Sequence, residues 1–266
     1  MRLRKHQQET FLETVEYRRF QEFCDACKED KFPGLCLGYS GVGKTLAAQN
    51  YAKWHHFSHL NNPHFESIPV QDAQLLRGFD TVVYTPIAAM SANAVLVQLL
   101  SLVCQFESMI GKETGLVDSS DPQVKLIIID EVNRLKYQSL EHIRDLIDQL
   151  RIGVVFMGLH GFEKVVKFLP QFRNRIGYRH EFKPLSIDDM TSIVESDDFP
   201  ALEFGISRKD FDTRYTIDLL VRATGGNMRT LNRLCLQVKR IMRVSQPDII
   251  TSEVIEAARK ALIIGL

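Results

Sequence analysis

Residues 38–45 read Gly-Tyr-Ser-Gly-Val-Gly-Lys-Thr, a full match to the GxxxxGK[ST] pattern, and this octapeptide restricts the fold more sharply than any other feature of the chain. A loop of this kind works only when a strand delivers it and a helix follows it, because the backbone N–H groups must converge on phosphate oxygens at a helix N-terminus. Both flanks are present. Gly34-Leu-Cys-Leu-Gly38 is a short apolar run of buried-strand type, and Thr45-Leu-Ala-Ala-Gln-Asn-Tyr-Ala-Lys53 is rich in helix formers with apolar positions at helical spacing. Gly38, Gly41 and Gly43 let the backbone wrap a triphosphate, with Tyr39, Ser40 and Val42 completing the cradle. Lys44 is then expected to reach the β- and γ-oxygens, and the Thr45 hydroxyl to take a position on Mg²⁺. The expected cofactors are ATP and Mg²⁺.

About eighty residues on, Leu126-Ile-Ile-Ile-Asp130-Glu131 is a β-branched run that ends in two carboxylates. Such a run suits a strand buried on both faces of a parallel sheet, and ligands bind at the carboxyl ends of such strands. Asp130 is expected in the Mg²⁺ shell, and Glu131 is expected to orient and deprotonate a water that attacks the γ-phosphate. Kinases and transporters also carry acidic strand ends, but the adjacent Asp-Glu pair favours hydrolysis by water.

Composition excludes several classes. Lys plus Arg and Asp plus Glu each number 33, so the formal net charge is zero. No stretch is long and apolar enough to read as a membrane span, and Met1-Arg-Leu-Arg-Lys-His lacks the apolar centre of a signal peptide. A cytoplasmic protein with no membrane partner is expected. Five scattered cysteines suit a reducing compartment, and Cys24-x-x-Cys27, without a second Cys/His pair, reads as two helix thiols rather than a zinc site. Charge is unevenly spread: Leu219 to Pro247 holds Arg222, Arg229, Arg233, Lys239, Arg240 and Arg243 and no acid, and Arg151 to Lys183 is similarly biased. Such runs bind phosphate backbones, and solvated helix faces produce them as well.

Strand and helix patterns alternate through the first two thirds of the chain. A helix is expected over 6–29, with an apolar stripe of Phe11, Val15, Phe20 and Phe23. Strands follow at 34–38, 81–85, 125–129, 153–157 and 178–182, with helices at 45–56, 91–110 and 139–150, and a polar insertion at His59 to Asp72. After Pro184 the pattern is helical throughout: 188–195, 215–223, 228–244 and 252–261, with Asn227 placed to cap the third. The expected organisation is an α/β nucleotide-binding domain, 1–184, and a small all-α lid, 185–266.

Taken together, a helix before the phosphate loop, five strands with the acidic pair on the third, an arginine before the fifth and a helical segment opening Gly-Gly-Asn-x-Arg resemble an AAA+ ATPase. Within that superfamily the chain is similar to transposition regulators of the TnsC, TniB and MuB type. Three stretches carry the likeness: LIIIDEVNRLKYQSLEHIRDLIDQLRIGVVFMG at 126–158, PQFRNRI at 170–176 and GGNMRTLNRL at 225–234. The resemblance implies that Arg175 is an arginine finger inserted into a neighbouring subunit's site, with Arg173 able to take that role, and that Arg229 senses the γ-phosphate from within its own chain. It also implies that Lys112 and Thr114, ahead of the acidic strand, touch DNA. One departure stands out: the fourth strand of the family ends in a small polar residue, whereas here only His160, beyond the strand, is polar. Either His160 substitutes or the contact is missing.

The activity that follows from the resemblance is an ATP-dependent assembly into a ring or filament on double-stranded DNA. Such an assembly marks a target and recruits a transposase and a target-selection protein, and hydrolysis dismantles it. The competing readings are a secretion- or signalling-type AAA+ ATPase acting on protein partners, a helicase-loader-like ATPase, and a nucleotide-dependent scaffold that does not hydrolyse.

Overall fold

Five short apolar runs pair side by side in the order β2-β3-β4-β1-β5, and every pairing is parallel. The strands are β1 (Pro33–Leu37), β2 (Thr81–Tyr84), β3 (Leu126–Ile129), β4 (Gly153–Gly158) and β5 (Tyr178–Glu181). The computed structural model describes residues 11–54, 78–114, 123–196, 208–246 and 248–262, with the backbone alone over 109–114. Every residue of β1 to β4 is buried, which is why these segments read as continuous aliphatic runs. Tyr178-Arg-His-Glu181 of β5, an edge strand bonded on one side only, alternates between partly buried and exposed side chains.

The helices of this α/β unit are α1 (Val15–Asp30), α2 (Lys44–Tyr51), α3 (Ala92–Thr114), α4 (Tyr137–Leu150), α5 (Phe162–Lys167) and α6 (Pro170–Arg173). Helix α1 begins later than residue 6. Thr14 Oγ1 accepts the Tyr17 N–H at 3.2 Å, so the helix starts at a capping hydroxyl, residues 11–14 are not helical, and 6–10 lie outside the described residues. The expected stripe shifts with it: Val15 is exposed, and the buried face is Tyr17, Phe20, Phe23, Cys24 and Cys27, which keeps the helical period. Burial raises the thiol pKa of both cysteines, that of Cys27 to about 12. The packing under α1 is close, since a Cβ at Gly34 would stand 2.4 Å from Cys27 Sγ. Ser91 Oγ accepts the Ala94 N–H at 3.2 Å and opens α3. The polar stretch 59–72 lies outside the described residues, and the two short helices α5 and α6 were not legible in the periodicity.

By internal contacts the chain divides in two, and the division does not follow the order of the sequence. Arg19–Tyr39 with Lys44–Phe182 make the α/β unit; Ser40–Gly43 and the chain from Lys183 onward cluster with the residues up to Arg18. The second unit holds α7 (Ile187–Glu195), α8 (Arg214–Thr224), α9 (Met228–Ser245) and α10 (Ser252–Ala261). They enclose a core of Met190, Val194, Ile217, Leu220, Leu231, Leu234, Cys235 and Ile255. Between α8 and α9, Gly225 and Gly226 take left-handed φ values of 59° and 76°, and a Cβ on Gly226 would lie 2.3 Å from the Leu185 carbonyl oxygen. Asn227 then caps α9, its Oδ1 accepting the Thr230 N–H at 3.2 Å.

Candidate functional site

Within the α/β unit, candidate residues gather at the ends of β1, β3 and β4. Gly38 follows β1 directly, and its N–H donates to the Gly158 carbonyl at 3.2 Å, tying the loop's start to the end of β4. A side chain there would strike the Phe182 carbonyl oxygen at 2.4 Å, so only glycine fits. Lys44 is buried at the start of α2, and its Nζ donates to the carbonyls of Gly38 at 2.8 Å and Tyr39 at 2.7 Å. The ammonium is thus held at the mouth of the loop, where β- and γ-oxygens would compete with carbonyls for its protons.

Thr45 and Asp130 lie 85 residues apart in sequence, and Thr45 Oγ1 donates to Asp130 Oδ2 at 2.7 Å. Burial raises the Asp130 pKa; the Thr45 hydroxyl and the Glu131 N–H, both donated to its oxygens, pull the other way. A hydroxyl beside a buried carboxylate is a hard oxygen pair that fits Mg²⁺, which binds few protein ligands and keeps its remaining positions for phosphate and water. Among the described residues no group of three or more His, Cys, Asp or Glu is placed to hold a metal ion.

Glu131 sits in the left-handed region at φ 52°, ψ 41°, an uncommon conformation for a residue with a side chain. Asp130 supports it: Oδ1 accepts the Glu131 N–H at 2.8 Å. The turn leads into a 3-10 segment, Val132–Arg134, and brings the Asn133 side chain back to Glu131, with Nδ2 donating to Oε2 at 3.3 Å. Arg134 Nε stands 3.8 Å from the same oxygen. Asn133 also adjoins the end of β4. A Cβ on Gly158 would meet Val132 Cγ1 at 2.7 Å and Asn133 Oδ1 at 3.1 Å, so the space beside the last residue of β4 is filled from the acidic turn. His160 is turned to other partners: its ring packs edge-on to Tyr39 with centroids 4.6 Å apart, and Nε2 is 4.0 Å from Glu181 Oε1. The polar side chain nearest Glu131 is therefore Asn133, which reasoning from strand ends alone overlooked; its one sequence signal is its place two residues past the acidic pair.

Within the helical unit, Ser40–Gly43 makes contacts of its own. Asn227 Nδ2 donates to the Ser40 carbonyl at 2.7 Å, Arg229 donates to Ser40 Oγ at 2.6 Å, and the Arg229 N–H donates to the Gly41 carbonyl at 3.3 Å. Gly41 adopts φ +82°, and a Cβ there would be 2.5 Å from Asn227 Oδ1. The Gly-Gly-Asn-x-Arg segment thus holds the tip of the loop through one cap residue and one guanidinium.

The remaining candidates fall elsewhere. Arg175 forks onto Asp148, with Nε 2.9 Å from Oδ1 and a terminal nitrogen 2.6 Å from Oδ2, and its other nitrogen donates to the Gln171 carbonyl at 2.8 Å. That bond holds the Asp148 carboxyl below the usual range. Arg173, at the end of α6, is exposed and makes no ion pair among the described residues. Lys112 and Thr114 are in the last turn of α3, but their side chains lie outside the described residues. No helix among the described residues is long and apolar enough to cross a membrane.

Comparison with known proteins bears on the family and the fold. The AAA domain family matches residues 28–166. A Staphylococcus aureus protein described as a potential ATP-binding protein is 34% identical over 270 residues, covering 97% of this chain and 98% of its own length. The Thermotoga maritima RuvB Holliday junction branch migration motor superposes with a TM-score of 0.56 at 14% identity, over 98% of this chain and 74% of its own. Aeropyrum pernix ORC1 in complex with DNA gives a TM-score of 0.56 at 16% identity, over 93% of this chain and 64% of its own. At these identities the two structures speak for the fold, a P-loop AAA+ sheet with a helical region after it.

Proposed function

The chain belongs to the AAA domain family, and on that footing we propose that it is an ATPase whose nucleotide state governs assembly on double-stranded DNA. The observation that carries the nucleotide part is the Thr45–Asp130 hydrogen bond at 2.7 Å, which joins the phosphate loop to the acidic strand in the arrangement a Mg²⁺-triphosphate needs. Thr45 and Asp130 would hold a magnesium ion there, which would neutralise phosphate charge when bound. Lys44 leaves its two carbonyls for the phosphates. Glu131 orients a water and takes its proton, and Asn133 keeps the Glu131 carboxylate turned in place. Arg229 reads the phosphate loop through Ser40. Arg175, or Arg173, completes a neighbouring copy's site, a contribution worth about 10³–10⁵ in rate in related NTPases.

Our reading of the output is regulation of transposition: the ATP-bound homo-oligomer, a ring or filament, marks a DNA target and recruits a transposase and a target-selection protein, and hydrolysis releases it. The support is the likeness of 126–158, 170–176 and 225–234 to the TnsC, TniB and MuB type. DNA as the partner also fits neighbours described as a branch migration motor and as a complex with DNA. Electron microscopy of the protein with duplex and a non-hydrolysable ATP analogue is the test. Nucleotide-dependent rings or filaments on the duplex are expected, and absent in Lys44→Ala. An oligomeric state and hydrolysis rate that ignore duplex would sink the DNA role and favour a protein partner.

A further inference from the structure

Helix α9 carries five basic side chains, Arg229, Arg233, Lys239, Arg240 and Arg243, and no acid. Its buried face is Leu231, Leu234, Cys235 and Val238, which pack into the helical core. Arg229, Arg233, Arg240 and Arg243 fall at i, i+4, i+11 and i+14, so they share the opposite face, and all four are exposed. Arg229 is engaged with Ser40. Arg233, Lys239, Arg240 and Arg243 make no ion pair or hydrogen bond among the described residues. Like charges three and four residues apart on one helix repel, and here no carboxylate offsets them. A polyanion would.

We infer that this face of α9 binds the phosphate backbone of duplex DNA, through Arg233, Arg240 and Arg243 with Lys239 at its flank. This rests on the proposed DNA-binding reading and adds to it residues other than Lys112 and Thr114. From Arg233 to Arg243 the helix rises about 15 Å, a length over which one DNA strand presents about four phosphates. Three guanidiniums and an ammonium are thus spread along a target of matching charge and length. Guanidinium forks suit phosphate oxygens, and pairings of this kind carry no base information. An acidic protein segment would want an apolar groove beside the charges, and within the span between Arg233 and Arg240 the exposed apolar side chain is Leu236 alone.

The test compares the parent with a triple variant, Arg233→Ala, Arg240→Ala and Arg243→Ala, by fluorescence anisotropy on a labelled random-sequence duplex across a salt series with the non-hydrolysable analogue. With three guanidinium–phosphate pairs removed, the slope of log K against log salt should shallow by about 2.7, and affinity at 0.1 M salt should drop by about two orders of magnitude. Binding of a fluorescent ATP analogue and the melting temperature should match the parent. An unchanged slope and affinity would overturn the α9 assignment while leaving DNA binding standing. A parent that binds no duplex in any nucleotide state would instead bring down the functional reading on which it rests. If a poly-glutamate peptide binds the parent, loses affinity with the triple variant, and duplex does not, the face serves a protein and the inference is wrong.

Discussion

The Asn133 side-chain amide donates to Oε2 of Glu131 at 3.3 Å, and the same Asn133 fills the space that a side chain on Gly158 would occupy. A general base is useful only if its carboxylate faces the water it deprotonates, and Glu131, in a left-handed turn, depends on its neighbours for that orientation. On the proposed mechanism Asn133 is a positioning residue. Asn133→Ala should lower kcat by about 10- to 100-fold while the KM for ATP stays near the parent value. Asn133→Asp, which sets a second carboxylate against Glu131, should do no better. An unchanged kcat in steady-state assays would remove Asn133 from the mechanism.

Glu131→Gln should keep nucleotide binding and abolish most turnover, with any assembly trapped in its ATP form. Lys44→Ala should lose binding altogether, because the ammonium that faces the β- and γ-oxygens is gone. A fluorescent ATP analogue and single-turnover hydrolysis separate the two outcomes.

Restoring a polar residue at the end of β4 should fail. In Gly158→Ser the new Cβ lies 2.7 Å from Val132 Cγ1, so the acidic turn must shift, at a cost of about 1–3 kcal/mol by analogy with overpacked cores. Thermal melting should fall, and activity should fall rather than rise. A Gly158→Ser variant as stable as the parent and faster would show the turn to be adjustable.

At Gly41, as at Gly226, backbone conformation and packing coincide. Gly41→Ala meets both a positive φ of 82° and an Asn227 oxygen at 2.5 Å. Destabilisation of about 1–3 kcal/mol is expected from the strain alone, together with weaker ATP binding as Asn227 and Arg229 are pushed from Ser40. Chemical denaturation with and without nucleotide measures both.

The Asp148–Arg175 pair makes a prediction about pH. Arg175 lowers the Asp148 pKa from its ordinary 3.8, so the pair's contribution is complete above that ordinary value and is lost as pH falls through the lowered one. Both side chains are well exposed, 37% for Arg175 and 44% for Asp148, so the effect on stability is small. The sensitive readout is carboxyl NMR. In Arg175→Ala the Asp148 titration should move up to the ordinary range. If Arg175 swings away to complete a neighbour's site, the parent should show the same rise on assembly with an ATP analogue. A titration that ignores assembly would mean that the pair stays closed and leave Arg173 as the finger.

Much of the scaffold was legible before any coordinates. The β-branched runs at 126–129 and 153–157 are buried on both faces, and only parallel strands inside a covered sheet need such continuous apolarity. Asn227 was readable as a cap because Asn after Gly-Gly has a local mechanism. Local signals failed where the deciding group came from elsewhere in the chain. The start of α1 at Val15, capped by Thr14, rather than at residue 6 turned on one hydroxyl; Phe20 and Phe23 stayed on the buried stripe while Val15 left it. His160 drew attention as the polar residue after β4, yet the polar side chain beside Gly158 and Glu131 is Asn133, because a left-handed turn folds it back.

Chemistry that depends on contiguous residues was written in the chain: a glycine cradle with Lys44 and Thr45 permits a phosphate ligand whatever surrounds it, and a strand ending Asp130-Glu131 supplies carboxylates wherever that strand lies. Folding alone set which of these groups meet. Thr45 reaches Asp130 because β1 and β3 flank β4 in one parallel sheet. Arg175 is engaged by an aspartate 27 residues away. The arginines of α9 become one face only when Leu231, Leu234 and Val238 are turned into a core, since burial, which no single segment specifies for itself, decides what is left outside.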